Sequence, residues 1–129
     1  MVRNTSRYRI LIVDDLADNL FLLQTVLEDE GYTVEVADNG WSALEHIFAS
    51  PPNLVLLDMM MPEINGIEVT QRLRQHPQLK ELPIVLITAY GEMVAEQGLN
   101  VGANDWLSKP VDFEELLHKI RVFCEDTAY

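Results

Sequence analysis

Three short apolar runs decide what this chain can become. Ile10-Leu11-Ile12-Val13, Leu54-Val55-Leu56-Leu57 and Ile84-Val85-Leu86-Ile87 are each of strand length and carry no polar alternation. A strand that is apolar at every position is buried on both faces, as in a parallel sheet covered by helices on two sides. Each run stops abruptly at polar residues: Asp14-Asp15, Asp58 and Thr88. Open α/β sheets place their ligand crevices outside the carboxyl ends of the strands, so these ends are the first place to look for chemistry. One Asp in such a position more often only caps a turn. The case for chemistry lies in how many ends carry a functional group.

The segments between the runs read as helices. Tyr8 to Val13 forms the first strand, and Asp18 to Glu30 has helical periodicity with an acidic start that suits the helix dipole. Leu16, Leu20, Leu22, Leu23, Val26 and Leu27 share one broad arc of that helix, opposite Gln24, Thr25, Glu28 and Asp29. Gly31 stops it, Tyr32 to Val36 makes a second strand, Asn39-Gly40 a turn, and Ser42 to Ala49 a helix packing Ala43, Leu44 and Ile47. Pro51-Pro52 launches the third strand, which ends at Asp58; Asn65-Gly66 starts a third helix reaching to about Gln75. The fourth strand opens at Pro83. A fourth helix, Glu92 to Asn100, has Gly98 inside it, which costs about 1 kcal/mol relative to Ala and makes this the least stable helix expected. A brief strand, Asp105 to Leu107, leads to Ser108-Lys109-Pro110. Asp112 and Glu115 resemble a capping pair for a last helix with Leu116, Leu117, Ile120 and Phe123 as its core stripe. Five strands alternating with five helices predict an α/β fold, a doubly wound parallel sheet with right-handed crossovers.

The totals narrow the partners. Twenty-one acidic against nine basic residues give a net charge of −12 over 129 residues, which argues against nucleic acid or an anionic membrane. Such a balance suits a bound divalent cation or a basic partner. The single Cys124 permits no internal disulfide and fits a reducing, cytoplasmic setting. No signal-like apolar segment follows Met1 to Arg7, and no apolar run approaches membrane-spanning length. Residues 1–129 read as one domain with its core at about 8–125 and no output domain.

The strand ends supply Asp14 and Asp15, Asp58, Thr88 and Lys109 in turn. If the first and third strands are neighbours, as in the flavodoxin-like order 2-1-3-4-5, the carboxylates converge at the topological switch point. Three carboxylates without a counter-charge raise one another's pKa values, and a divalent cation relieves them. Oxygen ligands with retained waters describe Mg²⁺. A lysine facing a cation site makes sense when an anion sits between metal and ammonium, and a phosphoryl group is that anion. Asp58 then serves as the nucleophile, since carboxylates form aspartyl phosphates. Lys109 neutralises charge on the phosphoryl oxygens, Thr88 donates a hydrogen bond, and the small Ala89 leaves room for entry.

These residues and their order resemble the response-regulator receiver domains of two-component signalling, over about Arg9 to Phe123. The matching positions are Asp14-Asp15, Asp58 with Met61-Pro62 and Gly66, Thr88-Ala89, Gly102-Ala103 with Asp105, and Lys109-Pro110. The resemblance implies that Asp58 accepts phosphate from a phosphohistidine on a histidine kinase or a histidine phosphotransfer protein. It implies Mg²⁺ held by Asp15, Asp58 and the Met60 carbonyl, with Asp14 acting partly through water. It implies a cis bond before Pro110, and a downstream protein target read by the fourth helix, fifth strand and fifth helix. Such a domain is no conventional enzyme: it turns over only its own phosphoryl group. The sequence leaves a homodimer open.

Some positions depart from the family pattern. Trp106 stands where a Tyr, Phe or His is usual. It either follows the threonine inward on phosphorylation or permanently fills a partner-facing surface. Met60 and Tyr90, bulky and non-acidic beside the path of attacking water, imply slow self-dephosphorylation; a half-life of seconds would contradict this. Phe21 shares its helical arc with polar residues and, beside Leu16 and Leu20, extends an apolar strip fit for kinase docking. His46, His76 and His118 lack metal-ligand spacing and read as surface; Met59-Met60-Met61 reads as loop packing and Trp41 as surface.

Three rival readings make distinct demands. A dehalogenase-type phosphatase wants an acid two residues after the nucleophile, where this chain has Met60. A flavodoxin-type binder wants a glycine- or hydroxyl-rich loop where it has Asp14-Asp15. A phosphate-independent receiver-like interaction module predicts loss of a key side chain, yet all five are present.

Overall fold

The computed structural model describes residues 7–125, so the amino-terminal stretch before Arg7 and the last four residues lie outside the described residues. Five strands, β1 (Arg9–Val13), β2 (Thr33–Ala37), β3 (Leu54–Asp58), β4 (Ile84–Thr88) and β5 (Asp105–Ser108), alternate with five helices. The helices are α1 (Ala17–Asp29), α2 (Gly40–Ala49), α3 (Gly66–Arg74), α4 (Glu92–Asn100) and α5 (Phe113–Ile120). The strands pair in parallel in the order β2-β1-β3-β4-β5, as expected.

The unbroken apolar runs are explained by two cores, one on each face. Leu11, Val13, Val55, Leu57, Ile84 and Leu86 point into a cluster with Ala43, Leu44 and Ile47 of α2 and Val69 and Leu73 of α3. Their neighbours Ile10, Ile12, Leu54, Leu56, Val85 and Ile87 point the other way, onto Leu23 and Leu27 of α1 and Leu116 and Ile120 of α5. Every residue of β3 and β4 is buried. Burying each such Leu or Ile side chain stabilises the fold by about 1.5–3 kcal/mol.

The starts of α2, α3 and α5 are fixed by side-chain caps. Asn39 accepts from the Ser42 N–H at 2.8 Å, so Asn39-Gly40 is a helix start and not a free turn. Asn65 accepts from the Glu68 N–H at 2.9 Å, and Asp112 accepts from the N–H groups of Glu114 and Glu115 at 2.9 and 3.2 Å. No helix among the described residues is long and apolar enough to cross a membrane.

Four expectations need correcting or extending. The apolar arc of α1 is narrower than its periodicity suggests: only Leu23 and Leu27 are buried, while Leu16 and Leu22 are exposed. Leu117 and Phe123 are only partly buried, because α5 meets the sheet along Leu116 and Ile120. Gly98 is not merely a weak point in α4, for it is buried and a Cβ there would overlap Cδ1 of Leu86. His46 is half-buried as well, its Nε2 held 2.6 Å from a Glu35 carboxylate that also pairs with Arg9. Arg9 and His46 together hold the Glu35 carboxyl below its ordinary value, with the Arg9 hydrogen bond the leading cause.

Candidate functional site

The carboxyl edge of the sheet brings the strand-end residues together. Because β1 and β3 are hydrogen-bonded neighbours, Asp14 follows Val13 on one strand while Asp58 ends the next. Carboxylate oxygens of Asp14, Asp15 and Asp58 all lie within 4.8 Å of one another. Asp14 and Asp58 are buried and Asp15 is exposed.

Local hydrogen bonds aim each group. Oδ1 of Asp14 accepts from the Leu16 N–H at 2.9 Å and Oδ2 from the Asn19 side chain at 3.2 Å. Oδ1 of Asp58 accepts from the Met60 N–H at 3.2 Å, leaving Oδ2 toward Lys109. The Lys109 ammonium reaches that Oδ2 at 3.2 Å and stands 3.9 Å from Asp14. Burial raises the Asp58 carboxyl above its ordinary value, and the Asp14 charge pushes the same way. The Met60 N–H and Lys109 oppose that rise without cancelling it.

Backbone contacts set the loops. Met59 donates to the Ile87 carbonyl at 2.9 Å, and its own carbonyl accepts from Gly66 N–H at 2.9 Å. A Cβ on Gly66 would come within 2.8 Å of the Asp58 carbonyl oxygen, so α3 can start this close to the end of β3 only at a glycine. Glu63, in the same loop, holds a left-handed φ of 70°. Such a conformation costs of order 1 kcal/mol and marks loops held by their surroundings. The Lys109 N–H donates to the Thr88 carbonyl at 2.9 Å, and the Lys109–Pro110 bond is cis.

The other named residues fall around this centre. Thr88 is fully buried, and its hydroxyl oxygen accepts from the Tyr90 N–H at 3.0 Å, which leaves the hydroxyl proton available to donate. Ala89 is exposed beside it. Met60 and Tyr90 stand exposed in the loops that follow β3 and β4, while Met59 and Met61 are buried loop packing, as expected. Trp106 is half-buried against the α2–α4 core face. On α1, Phe21 is 72% exposed, while Leu20 is half-buried and lines a groove with Val36 and Ala37. One residue carries almost no mark in the sequence and another stands outside the core face its periodicity gives it. Asn19 braces Asp14, and Leu22 lines a cavity of about 460 Å³ with Asp14, Lys109, Pro110 and Phe113. Only the i, i+5 spacing of Asn19 from Asp14 hinted at the first.

A parallel sheet of this order, with carboxylates and a lysine gathered at its switch point, defines a flavodoxin-like α/β protein with an acidic pocket. Residues 10–121 match the response regulator receiver domain, and the chain belongs to that family. It is 41% identical over 114 residues to the response regulator PleD of Caulobacter vibrioides, covering 88% of this chain and 25% of that protein. It is 40% identical over 121 residues to the transcriptional regulatory protein CpxR homolog of Haemophilus influenzae, covering 93% and 52%. Among solved structures it is similar to the chemotaxis protein CheY4 of Vibrio cholerae, at a TM-score of 0.84 and 31% identity, covering 90% and 98%. The chain thus spans a quarter to a half of those two regulators and nearly all of CheY4. Receiver domains are the signal-accepting part of two-component response regulators.

Proposed function

We propose that the chain is a phosphorylation-controlled switch in which Asp58 is the acceptor. A carboxylate oxygen of Asp58 attacks the phosphorus of a phosphohistidine, borne by a histidine kinase or a histidine phosphotransfer protein. The P–N bond breaks and its electron pair returns to the imidazole, leaving an acyl phosphate on Asp58. Water later attacks that phosphorus, releasing inorganic phosphate and restoring the carboxylate. The domain turns over only this one group.

The supporting observation is the pairing of a buried acceptor carboxylate with Lys109 at 3.2 Å and with two further carboxylates within 4.8 Å. An all-oxygen cluster of this size fits a hard divalent cation, and Asp14, Asp15, Asp58 and the Met60 carbonyl would hold Mg²⁺. When bound, Mg²⁺ would neutralise charge on the phosphoryl oxygens. Lys109 holds the opposite side of the transferring group and stabilises its charge as it develops. Thr88 donates its hydroxyl proton to a phosphoryl oxygen, and Ala89 leaves the approach open.

Two surfaces serve partners under this reading. The exposed Leu16, just before α1, and Phe21 and Leu22 on it suit the phosphoryl donor, with the half-buried Leu20 alongside. The face of α4, β5 and α5, with Met93 79% exposed and Trp106 half-buried, suits a downstream protein or a second copy. Incubation with acetyl phosphate and Mg²⁺, read by intact mass, should add one phosphoryl group to the parent chain and none to Asp58→Asn. An unmodified parent chain would favour the phosphate-independent interaction module.

A further inference from the structure

Among the buried groups that the phosphorylation site does not use, Gly98 is placed to influence it. Glycine inside a helix costs about 1 kcal/mol relative to alanine, so a buried one signals close approach. A Cβ at this position would overlap Cδ1 of Leu86 and stand 3.6 Å from the Met59 methyl. Leu86 is wholly buried in β4, two residues before Thr88, so it cannot swing aside without disturbing the core. Met59 directly follows Asp58. Its backbone is clamped to β4 through Ile87 and to α3 through Gly66, both at 2.9 Å. A shift of the Asp58 backbone therefore passes to a methyl lying directly under α4.

The attachment of α4 is uneven. Ala95 and Gly98 are its only buried residues. Its amino end begins at Gly91, with φ of 86°, no side-chain cap and open space around the position of a Cβ. Its carboxyl end is pinned: the Ala103 N–H donates to the Gly98 carbonyl at 3.1 Å, and Arg74 donates to the Gly102 carbonyl at 2.9 Å. The helix is thus pinned at its carboxyl end, uncapped at its amino end, and seated between them on Leu86 and Met59.

We propose that Gly98 is a positioning residue whose missing side chain sets how deeply α4 seats on Leu86 and Met59. Through Met59 it couples the position of α4 to the state of Asp58, by a route separate from Thr88 and Trp106. The inference rests on phosphorylation of Asp58 as the input. In Gly98→Ala the added methyl lifts α4 about its pinned end, so the helix sits displaced before any phosphoryl group arrives. Removing the obstructing side chain in Gly98→Ala/Leu86→Ala lets it settle again. Met59→Leu keeps the volume but withdraws the terminal methyl, and weakens the response without loosening the fold.

The test is amide hydrogen exchange on the full chain, with and without acetyl phosphate and Mg²⁺, uptake being read first by intact mass. Expected for unphosphorylated Gly98→Ala is exchange in α4 about tenfold faster, with α1 and α5 unchanged and the response of α4 to phosphorylation largely lost. The double variant restores that response. Met59→Leu folds in any case and shows a reduced response in α4 alone. The coupling is overturned if Gly98→Ala speeds exchange equally in every helix, or if both single variants keep the full α4 response. Absence of uptake by the parent chain sinks the phosphorylation reading, and this inference with it; uptake with unaltered responses sinks only the coupling.

Discussion

Lys109 donates its ammonium to Asp58 across 3.2 Å, joining residues 51 positions apart in the chain. The same ammonium stands 3.9 Å from Asp14, so one lysine faces both buried carboxylates. That relationship is the ground for proposing that the site takes an anion and not a cation alone. A metal alone has no use for the ammonium, whereas an anion held between the two does.

Removing that charge should cripple the chemistry more than the fold. In Lys109→Met the phosphoryl oxygens lose a positioned cation, and uptake from acetyl phosphate should slow by about 100-fold or more. Stopped-flow or quenched mass measurements give the rate, and circular dichroism confirms folding. A rate within about threefold of the parent would remove Lys109 from the mechanism.

The Asp58 carboxyl is raised, chiefly by burial and also by Asp14, so the folded chain holds this proton more tightly than the unfolded chain. Its ionisation therefore opposes folding. The penalty is absent below the unfolded pKa and complete above the folded one. Asp58→Asn should consequently be more stable than the parent in metal-free buffer near neutral pH, with the advantage shrinking as pH falls through the carboxyl range. The lowered Glu35 works in the opposite sense, giving stability above its unfolded pKa that is lost as pH falls, but it is common to both proteins and cancels. Urea midpoints across pH check this. An Asn variant less stable than the parent at neutral pH would mean that the Lys109 pairing outweighs burial.

Phe21 is 72% exposed on α1, and truncating it should change stability by no more than about 0.5 kcal/mol. Phe21→Ala should slow transfer from a phosphohistidine-bearing protein while leaving uptake from acetyl phosphate untouched. Equal rates from the protein donor would show that this ring plays no part in docking.

Away from the site, Arg74 ties three segments together. It donates to the carbonyls of Leu79, Leu82 and Gly102 at 2.6, 2.7 and 2.9 Å and to the Asn104 side chain at 3.0 Å. Burial lowers the pKa of its guanidinium from the ordinary value, with Glu81 opposing. Arg74→Met leaves those acceptors unpaired and should cost about 3 kcal/mol, seen as a lower melting temperature with phosphoryl uptake retained in the cold. A loss under about 0.5 kcal/mol would show that water replaces the guanidinium freely.

Much of this was legible in the sequence because burial on both faces leaves a direct mark: Leu54 to Leu57 and Ile84 to Ile87 carry no polar residue, and their ends name Asp58 and Thr88. What stayed hidden depends on distance in space. Periodicity shows which residues of α1 can share a face but not how wide the contact is, so it puts Leu22 on the core side although Leu22 is exposed beside Lys109. Propensity registers the cost of Gly98 but not the Leu86 side chain that requires it. Arg74, Asn19 and the pairing of His46 with Glu35 join elements whose proximity only the folded chain creates.

The most direct test locates the phosphoryl group. After incubation with acetyl phosphate and Mg²⁺, borohydride reduction converts an aspartyl phosphate to homoserine, and peptide mass spectrometry finds where. The account predicts homoserine at position 58, lost when Mg²⁺ is chelated beforehand. Homoserine at position 14 or 15 instead, or at no position, would contradict it.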